Sequence, residues 1–97
     1  MKFEVDFIWI PGDLGGHSGS PYDDMRCEMI PELQFLAHDN AIRDVSWRII
    51  AFDEKTMLGS AECDLRDPTS PNRDWFASGA QFEARNGRRI LAVGKIR

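Results

Sequence analysis

Apolar and polar residues alternate along most of this chain, with the period of two that is typical of half-buried β-strands. In the opening segment Phe3, Val5 and Phe7 share one parity, and charged residues occupy the positions between them. The same alternation recurs within residues 25–38, 45–51, 61–66, 80–85 and 89–96. No long stretch carries a helical stripe, so the pattern predicts about six strands and no long helix.

Turn-forming residues separate these segments. Residues 11–21 and 67–74 are dense in Gly, Pro, Ser or Asn and predict loops. Pro31 interrupts the second apolar row and predicts a break or bulge there. Residues 52–57 read as a hairpin connection. Asn86-Gly87 is the strongest hairpin signal, because a type I′ turn needs two residues that accept positive φ.

Short strands joined by turns in 97 residues fit one domain, residues 1–97, built as a closed barrel or a sandwich. The first and last strands are both apolar enough to pair, and their pairing would close a barrel and remove the exposed edges. In the strand that contains Val45, Trp47 and Ile49, the alternation predicts that Ala51 also faces the core. The residues that share inward parity within their strands are Phe3, Val5, Phe7, Cys27, Phe35, Val45, Trp47, Ile49, Cys63, Leu65 and Phe82.

The formal charge of −4 argues against generic binding to nucleic acid or to a membrane surface. The charge is unevenly distributed. Residues 1–81 hold 7 Lys/Arg against 15 Asp/Glu, a net of −8, whereas residues 82–97 hold 5 against 1, a net of +4. An anion-binding surface should therefore involve the C-terminal segment.

Neither the cysteines nor the N-terminal segment indicates export. Cys27 and Cys63 could form one bridge, but both occupy apolar-face positions, so we expect buried thiols in a reducing compartment. The opening apolar run contains acidic residues and no small-residue cleavage site, and no apolar stretch approaches about 18 residues. We therefore expect a cytoplasmic protein with no membrane partner.

The residues do not assemble into a recognisable catalytic or metal site. His17 lies near Ser18 and Ser20, but neighbouring residues in a glycine-rich loop rarely reach nucleophile–base geometry, and we expect a solvated turn. The two cysteines and two histidines are too scattered for a zinc spacing such as C-x₂-C. The expectation is a protein that is not an enzyme and binds no cofactor and no metal.

Two stretches carry a family resemblance. Lys2-Phe3-Glu4-Val5 leads into a loop with Gly15-Gly16, and Arg26 follows the glycine pair by ten residues. Near the other end, Phe82-x-x-Arg85-x-Gly87-x-Arg89 is followed by Gly94. In sequence and spacing these stretches resemble the third, C-terminal β-barrel of bacterial elongation factor Tu, with its K-F-x-A strand, G-G-R loop and F-x-x-R-E-G-G-R pattern. Residues 39–75 have no clear counterpart.

The resemblance implies a six-stranded closed antiparallel β-barrel without chemistry of its own. In the family this barrel packs against a GTP-binding domain and offers a surface to aminoacyl-tRNA and to partner proteins. The glycine-rich residues 12–17 lack the Lys-Ser/Thr that a phosphate-binding loop needs, so we expect no GTP binding.

The family's tRNA surface carries over incompletely. His17 stands where the family has the Arg of its loop, and Glu28 stands where the family has Gln. Arg26 is retained, and the C-terminal hairpin keeps its cations Arg85, Arg88 and Arg89. The substitutions weaken the case for tight tRNA binding.

One further candidate is Trp75, which is followed directly by Phe76, because period-two alternation cannot bury two adjacent large aromatics. An exposed aromatic near arginines is a common interface anchor, although local packing against the barrel end is the alternative. The candidate binding surface therefore comprises His17, Arg26, Arg85, Arg88, Arg89 and Trp75. We expect a non-enzymatic protein-interaction module; the alternatives are a weak tRNA- or RNA-binding module and an immunity- or inhibitor-type protein that imitates the elongation factor.

Overall fold

The computed structural model describes residues 2–31, 42–66 and 78–97. These ranges form the strands β1 (Lys2–Trp9), β2 (Met25–Pro31), β3 (Ile42–Asp53), β4 (Leu58–Leu65), β5 (Gln81–Asn86) and β6 (Arg89–Ile96). Within the same ranges the only helical element is a single 3-10 turn, Gly12–Leu14. None of the described helical structure is long and apolar enough to cross a membrane. The prediction of an all-β chain is confirmed.

The strands close into a barrel in the order β1-β4-β3-β2-β5-β6, and every neighbouring pair is antiparallel. β1 pairs with β6 from Val5↔Ile96 to Trp9↔Ala92, so the first and last strands complete the closure. Each described strand therefore has a hydrogen-bonded neighbour on both sides, and none of the six leaves a free edge. The predicted six-stranded closed antiparallel barrel is confirmed.

Aromatic rings fill the barrel interior. Trp47 packs edge-on against Phe7 and Phe82, with ring centroids 5.1 Å and 6.0 Å away. Burial of such rings supplies much of the hydrophobic stabilisation of a small domain. The predicted inward residues that are buried are Val5, Phe7, Cys27, Val45, Trp47, Cys63, Leu65 and Phe82.

The remaining inward predictions fare differently. Phe3 and Ile49 are only partly buried and pack against the core. Phe35 lies outside the described residues. The prediction that Ala51 points inward is wrong, because the register shifts between Ile49 and Ala51 and leaves Ala51 exposed. The extra residue in this bulge reverses the inward parity of the strand beyond it.

The β5–β6 hairpin is confirmed, but its turn is centred one residue later than predicted. Asn86 pairs with Arg89, so the two loop residues are Gly87 and Arg88. Gly87 has φ 62°, and Arg88 is not among the residues with positive φ. Positive φ at the first central position alone is the pattern of a type II′ turn, so the type I′ prediction is wrong.

Candidate binding surface at the loop end

Three connections emerge at one end of the barrel, because neighbouring strands run antiparallel. They join β1 to β2, β3 to β4 and β5 to β6, through residues 10–24, 54–57 and 87–88. We call this end the loop end. Five of the six candidate binding residues lie in these connections or in the strand residues next to them: His17, Arg26, Arg85, Arg88 and Arg89. Trp75 lies outside the described residues.

The glycine pair shapes the β1–β2 connection. Gly15 has φ 90°, a conformation that L side chains rarely adopt. Gly16 is needed for a different reason, because a Cβ atom there would lie 1.9 Å from the carbonyl oxygen of Ile10. The Gly16 amide donates to the Pro11 carbonyl at 3.0 Å. The two glycines therefore fix a tight turn that begins directly after β1.

Side-chain hydrogen bonds fasten the same connection across the barrel end. The Trp9 indole Nε1 donates to the Gly19 carbonyl at 2.8 Å. The Ile49 amide donates to Asp23 Oδ1 at 2.7 Å, which ties the connection to β3. These contacts link its middle to β1 and its last part to β3. The conformation of the β1–β2 connection is consequently fixed by hydrogen bonds to barrel strands as well as by contacts within the connection.

His17 is packed within this connection. Its ring lies between Trp9 and Tyr22, with centroids 6.0 Å and 5.7 Å away. The Gly19 amide donates to His17 Nδ1 at 3.0 Å, which assigns the ring proton of the neutral form to Nε2. In the described part of the chain neither loop serine hydrogen-bonds to this ring, and the Ser20 hydroxyl instead donates to Glu54 at 3.1 Å. The arrangement is that of a packed turn.

The candidate residues occupy two separate hollows. His17 borders one of about 350 Å³, shared with Trp9 and Glu54. Arg26 and Arg85 border another of about 220 Å³, at the start of β2 and the end of β5. The two hollows share no lining residue. The structure thus brings Arg26 to the arginine hairpin and leaves His17 apart from it.

Arg85 forms an ion pair within the barrel wall. Its guanidinium pairs with the carboxylate of Glu83, two residues earlier on the same face of β5. Glu28 lies directly opposite Arg85 on β2. Opposite charges in such cross-strand positions stabilise a sheet. Sequence reasoning missed this pairing, although the common parity of Glu83 and Arg85 was a readable signal.

The other three arginines of the candidate surface remain available to bind a ligand. Arg26, Arg88 and Arg89 are exposed, and they form no ion pair with any residue in the described ranges. Arg88 is a turn residue of the β5–β6 hairpin, and Arg89 begins β6. These positions present guanidinium groups from backbone that the barrel fixes in place. We call these residues the arginine cluster.

Acidic residues also lie at the loop end. The exposed ones are Asp13, Asp23, Asp24, Asp53 and Glu54. Asp23 and Asp53 accept backbone N–H groups, and Glu54 accepts the Ser20 hydroxyl. The loop end therefore carries anions as well as cations and is not uniformly cationic.

The two cysteines belong to the core. Cys27 and Cys63 are free and buried, which confirms the prediction of buried thiols. Burial raises the pKa of the Cys27 thiol to about 12, against a smaller opposing contribution from its contact with Trp47. Burial likewise raises the pKa of the Cys63 thiol. Both thiols are thus protonated and inert at neutral pH.

A bridge between these cysteines does not fit the barrel. Cys27 pairs with Val45 on one side of β3, and Cys63 pairs with Trp47 on the other side. Two strand spacings put their Cα atoms roughly 9 Å or more apart, beyond the limit of about 7 Å for a disulfide. Among the described residues there is also no group of three or more His, Cys, Asp or Glu placed to hold a metal ion.

No protein-family model and no curated protein matches this chain. The barrel has the architecture that the resemblance to elongation factor Tu implies. A fold shared with a family does not by itself assign membership or function, because one barrel hosts many activities.

Proposed function

We propose that this chain is a non-enzymatic, cytoplasmic protein-interaction module that binds an acidic surface of a partner protein through its loop end. The observation that carries the proposal is the arginine cluster, Arg26, Arg88 and Arg89, exposed and without internal ion pairs in the described ranges on a chain of net charge −4. Guanidinium groups pair with carboxylates in bidentate geometry, and arginine is enriched among residues that dominate interface energetics.

Rigidity of the loop end supports the same proposal. The hairpin that carries Arg88 and Arg89 has two loop residues, and Arg26 follows the fastened β1–β2 connection. Ordering a mobile loop at an interface costs free energy that is subtracted from affinity. A surface already ordered in the free protein avoids much of that cost.

A weak contact with tRNA or another RNA is the second candidate, and the same arginine cluster favours it, because guanidinium groups also bind phosphate. The neighbouring carboxylates oppose it. Asp23 and Asp24 are exposed in the β1–β2 connection, just before Arg26. An RNA helix presents phosphates over a wide area and would meet these acids within the screening length of about 8 Å. A protein surface can match mixed charges locally, which is why we rank protein binding first.

The proposal can be tested with a defined acidic probe. A glutamate-rich peptide is titrated into ¹⁵N-labelled protein, and backbone amide shifts are followed by NMR. We expect shifts at Arg26 and at the hairpin residues Gly87 and Arg88, with a Kd that weakens about tenfold or more in the Arg88→Gln/Arg89→Gln variant. Loss of two charge-assisted pairs is sufficient for an effect of that size.

A matched variant controls for net charge. Lys2→Gln/Arg48→Gln removes the same number of positive charges from the barrel wall, where both residues pair with Glu62, at 3.9 Å and 3.4 Å. It should bind the peptide nearly as well as the unmodified chain. Equal losses in the two double variants, or shifts away from the hairpin, would show that the arginine cluster is not the binding surface.

A further inference from the structure

A second surface lies on the outer wall of the barrel. Ile8, Leu58 and Val93 are exposed by 47%, 52% and 37%. Ile8 pairs with Leu58 on β4 and with Val93 on β6, so the three side chains form one row across neighbouring strands. Alternation would place polar residues at these outward positions, as it does at Asp6 two residues earlier. The row therefore places three apolar side chains at outward positions that alternation assigns to polar residues.

The row borders a groove of about 490 Å³. Gly94 lies within it, opposite Phe7 on one neighbouring strand and Phe82 on the other. A Cβ atom at Gly94 would meet the Asp6 carbonyl oxygen at 2.1 Å, so the strands approach closely there and no side chain fills the groove. The interior core packs without the exposed row, which leaves these aliphatic side chains available for an external contact.

The charged residues that line the groove determine the charge of a ligand that fits it. Two carboxylates on its wall are already paired: Asp6 with Arg97 at 2.8 Å, and Glu83 with Arg85. Lys95 also lines the groove and forms no ion pair with any described residue. Lys95 is therefore the cation on this wall that has no ion pair among the described residues. It complements a carboxylate placed beside apolar side chains.

The size of the row favours a short segment over a second copy of the chain. Three half-exposed aliphatic side chains offer an apolar patch on the order of a few hundred Å² at most. A standard stable interface buries about 800 Å² on each partner. The closed barrel also offers no free edge among its described strands, so an added β-strand cannot supply the difference.

We infer that this groove binds a helical segment of a partner protein, one that presents aliphatic side chains together with an Asp or Glu facing Lys95. The row spans two strand spacings, about 10 Å, which matches the separation of apolar residues at positions i and i+7 of a helix. The inference rests on the proposed function, since it names a second contact of the same interaction module. It adds the apolar recognition that the arginine cluster lacks.

The test uses a synthetic amphipathic peptide of about 14 residues, long enough for roughly 20 Å of helix, with leucines at i, i+3 and i+7 and one flanking Glu. Titration into ¹⁵N-labelled protein should shift the amides of Ile8, Leu58 and Val93. Ile8→Asp should weaken binding at least about tenfold. Ile50→Asp is the matched control, because Ile50 is 49% exposed but does not line the groove. Val93→Thr, which nearly preserves shape, should give a smaller loss in the same direction.

Charge reversal makes the test specific. Lys95→Glu should weaken the Glu peptide and strengthen a peptide in which Lys replaces that Glu. Equal effects of Ile8→Asp and Ile50→Asp, no binding of either peptide, or a Lys95→Glu variant without preference would each overturn the inference. Self-association that is lost in Ile8→Asp would assign the groove to a second copy instead. If the amphipathic peptide does not bind the groove but the glutamate-rich peptide still shifts the arginine cluster, the proposed function stands and only the groove inference fails. If the amphipathic peptide binds the groove but the glutamate-rich peptide does not shift the arginine cluster, only the arginine contact is removed.

Discussion

Binding of tRNA separates the two leading functions, and the structure limits how strong it can be. Of the four arginines near the hairpin, Arg85 is paired with Glu83 and would release no counterion on binding. The arginine cluster therefore supplies at most three phosphate contacts. With about 0.7 to 0.9 counterions released per contact, the slope of log K against log salt is roughly −2 to −3.

The salt dependence and the affinity of tRNA binding can both be measured by titration. Between about 50 mM and 200 mM salt, such a slope weakens binding roughly 16- to 64-fold. At physiological salt we expect a Kd no tighter than the non-specific range, about 10⁻⁴ to 10⁻⁶ M. Fluorescence anisotropy of labelled tRNA at several salt concentrations measures both quantities.

Single variants tie the slope to particular residues. Arg88→Gln and Arg89→Gln should each reduce its magnitude by about 0.7 to 0.9, because each removes one phosphate contact. Arg85→Gln is the internal control and should change the slope much less, since its charge is already balanced by Glu83. All three positions border the hairpin, and unchanged melting temperatures would show that the fold is intact.

Two results would refute this reasoning. Submicromolar binding with a slope steeper than about −4 would require more phosphate contacts than the described surface offers, and RNA binding would become the leading function. An Arg85→Gln variant that behaves like Arg88→Gln would show that the ion pair does not withhold Arg85 from the ligand.

Three further predictions concern nucleotide binding, the glycine pair and the buried thiols. Addition of GTP with Mg²⁺ should leave the melting temperature unchanged, and a saturable upward shift would contradict this, because a ligand that prefers the folded state must stabilise it. In denaturant titrations Gly16→Ala should lower the free energy of unfolding by at least about 2 kcal/mol, because the added Cβ atom overlaps the Ile10 carbonyl. Gly15→Asn should lower it by less than about 1 kcal/mol, because the site is open and Asn tolerates positive φ. Equal losses in the two variants would refute the distinction. Burial raises the pKa of Cys27 from 9.0 to about 12, so the stabilisation by the neutral thiol is complete below pH 9 and is lost as the pH rises toward 12. Cys27→Ala should accordingly lose less stability than the unmodified chain over that interval, and parallel denaturation curves would show that the thiol stays uncharged or is not buried.

Alternation predicted the fold because one face of each strand had to be buried. Val5, Trp47 and Cys63 could be assigned inward from parity alone, and the closure of β1 on β6 followed from the apolar character of both strands. The inward prediction fails where the register shifts, because Ala51 is exposed beyond a bulge. Leu91 and Ala92 are both buried, which strict alternation does not allow, and the β5–β6 register shifts there too. A bulge inserts a residue without changing the hydrophobic pattern enough to reveal its place.

The candidate surface was less accessible to sequence reasoning, because it depends on which strands become neighbours. Parity could have paired Glu83 with Arg85. Nothing in the sequence brings Ile8 next to Leu58, which is 50 positions away and meets it only through the β1–β4 register. The structure also places His17 in a different hollow from Arg26 and Arg85, with which the resemblance had grouped it.

The two proposed contacts differ in what each can contribute to recognition. Exposed arginines raise the association rate and orient a charged partner, but isolated surface ion pairs contribute only about 0–1 kcal/mol each. A partner helix bound in the apolar groove would exclude water from aliphatic side chains, and this second proposed contact would thus discriminate among acidic partners by shape. Strand β6 connects them, with Arg89 at its start and Lys95 six residues further along, about 20 Å away in an extended strand. A partner segment lying along β6 would therefore need acidic residues toward both ends and aliphatic residues between them, a pattern that neither an RNA helix nor a uniformly acidic tail possesses.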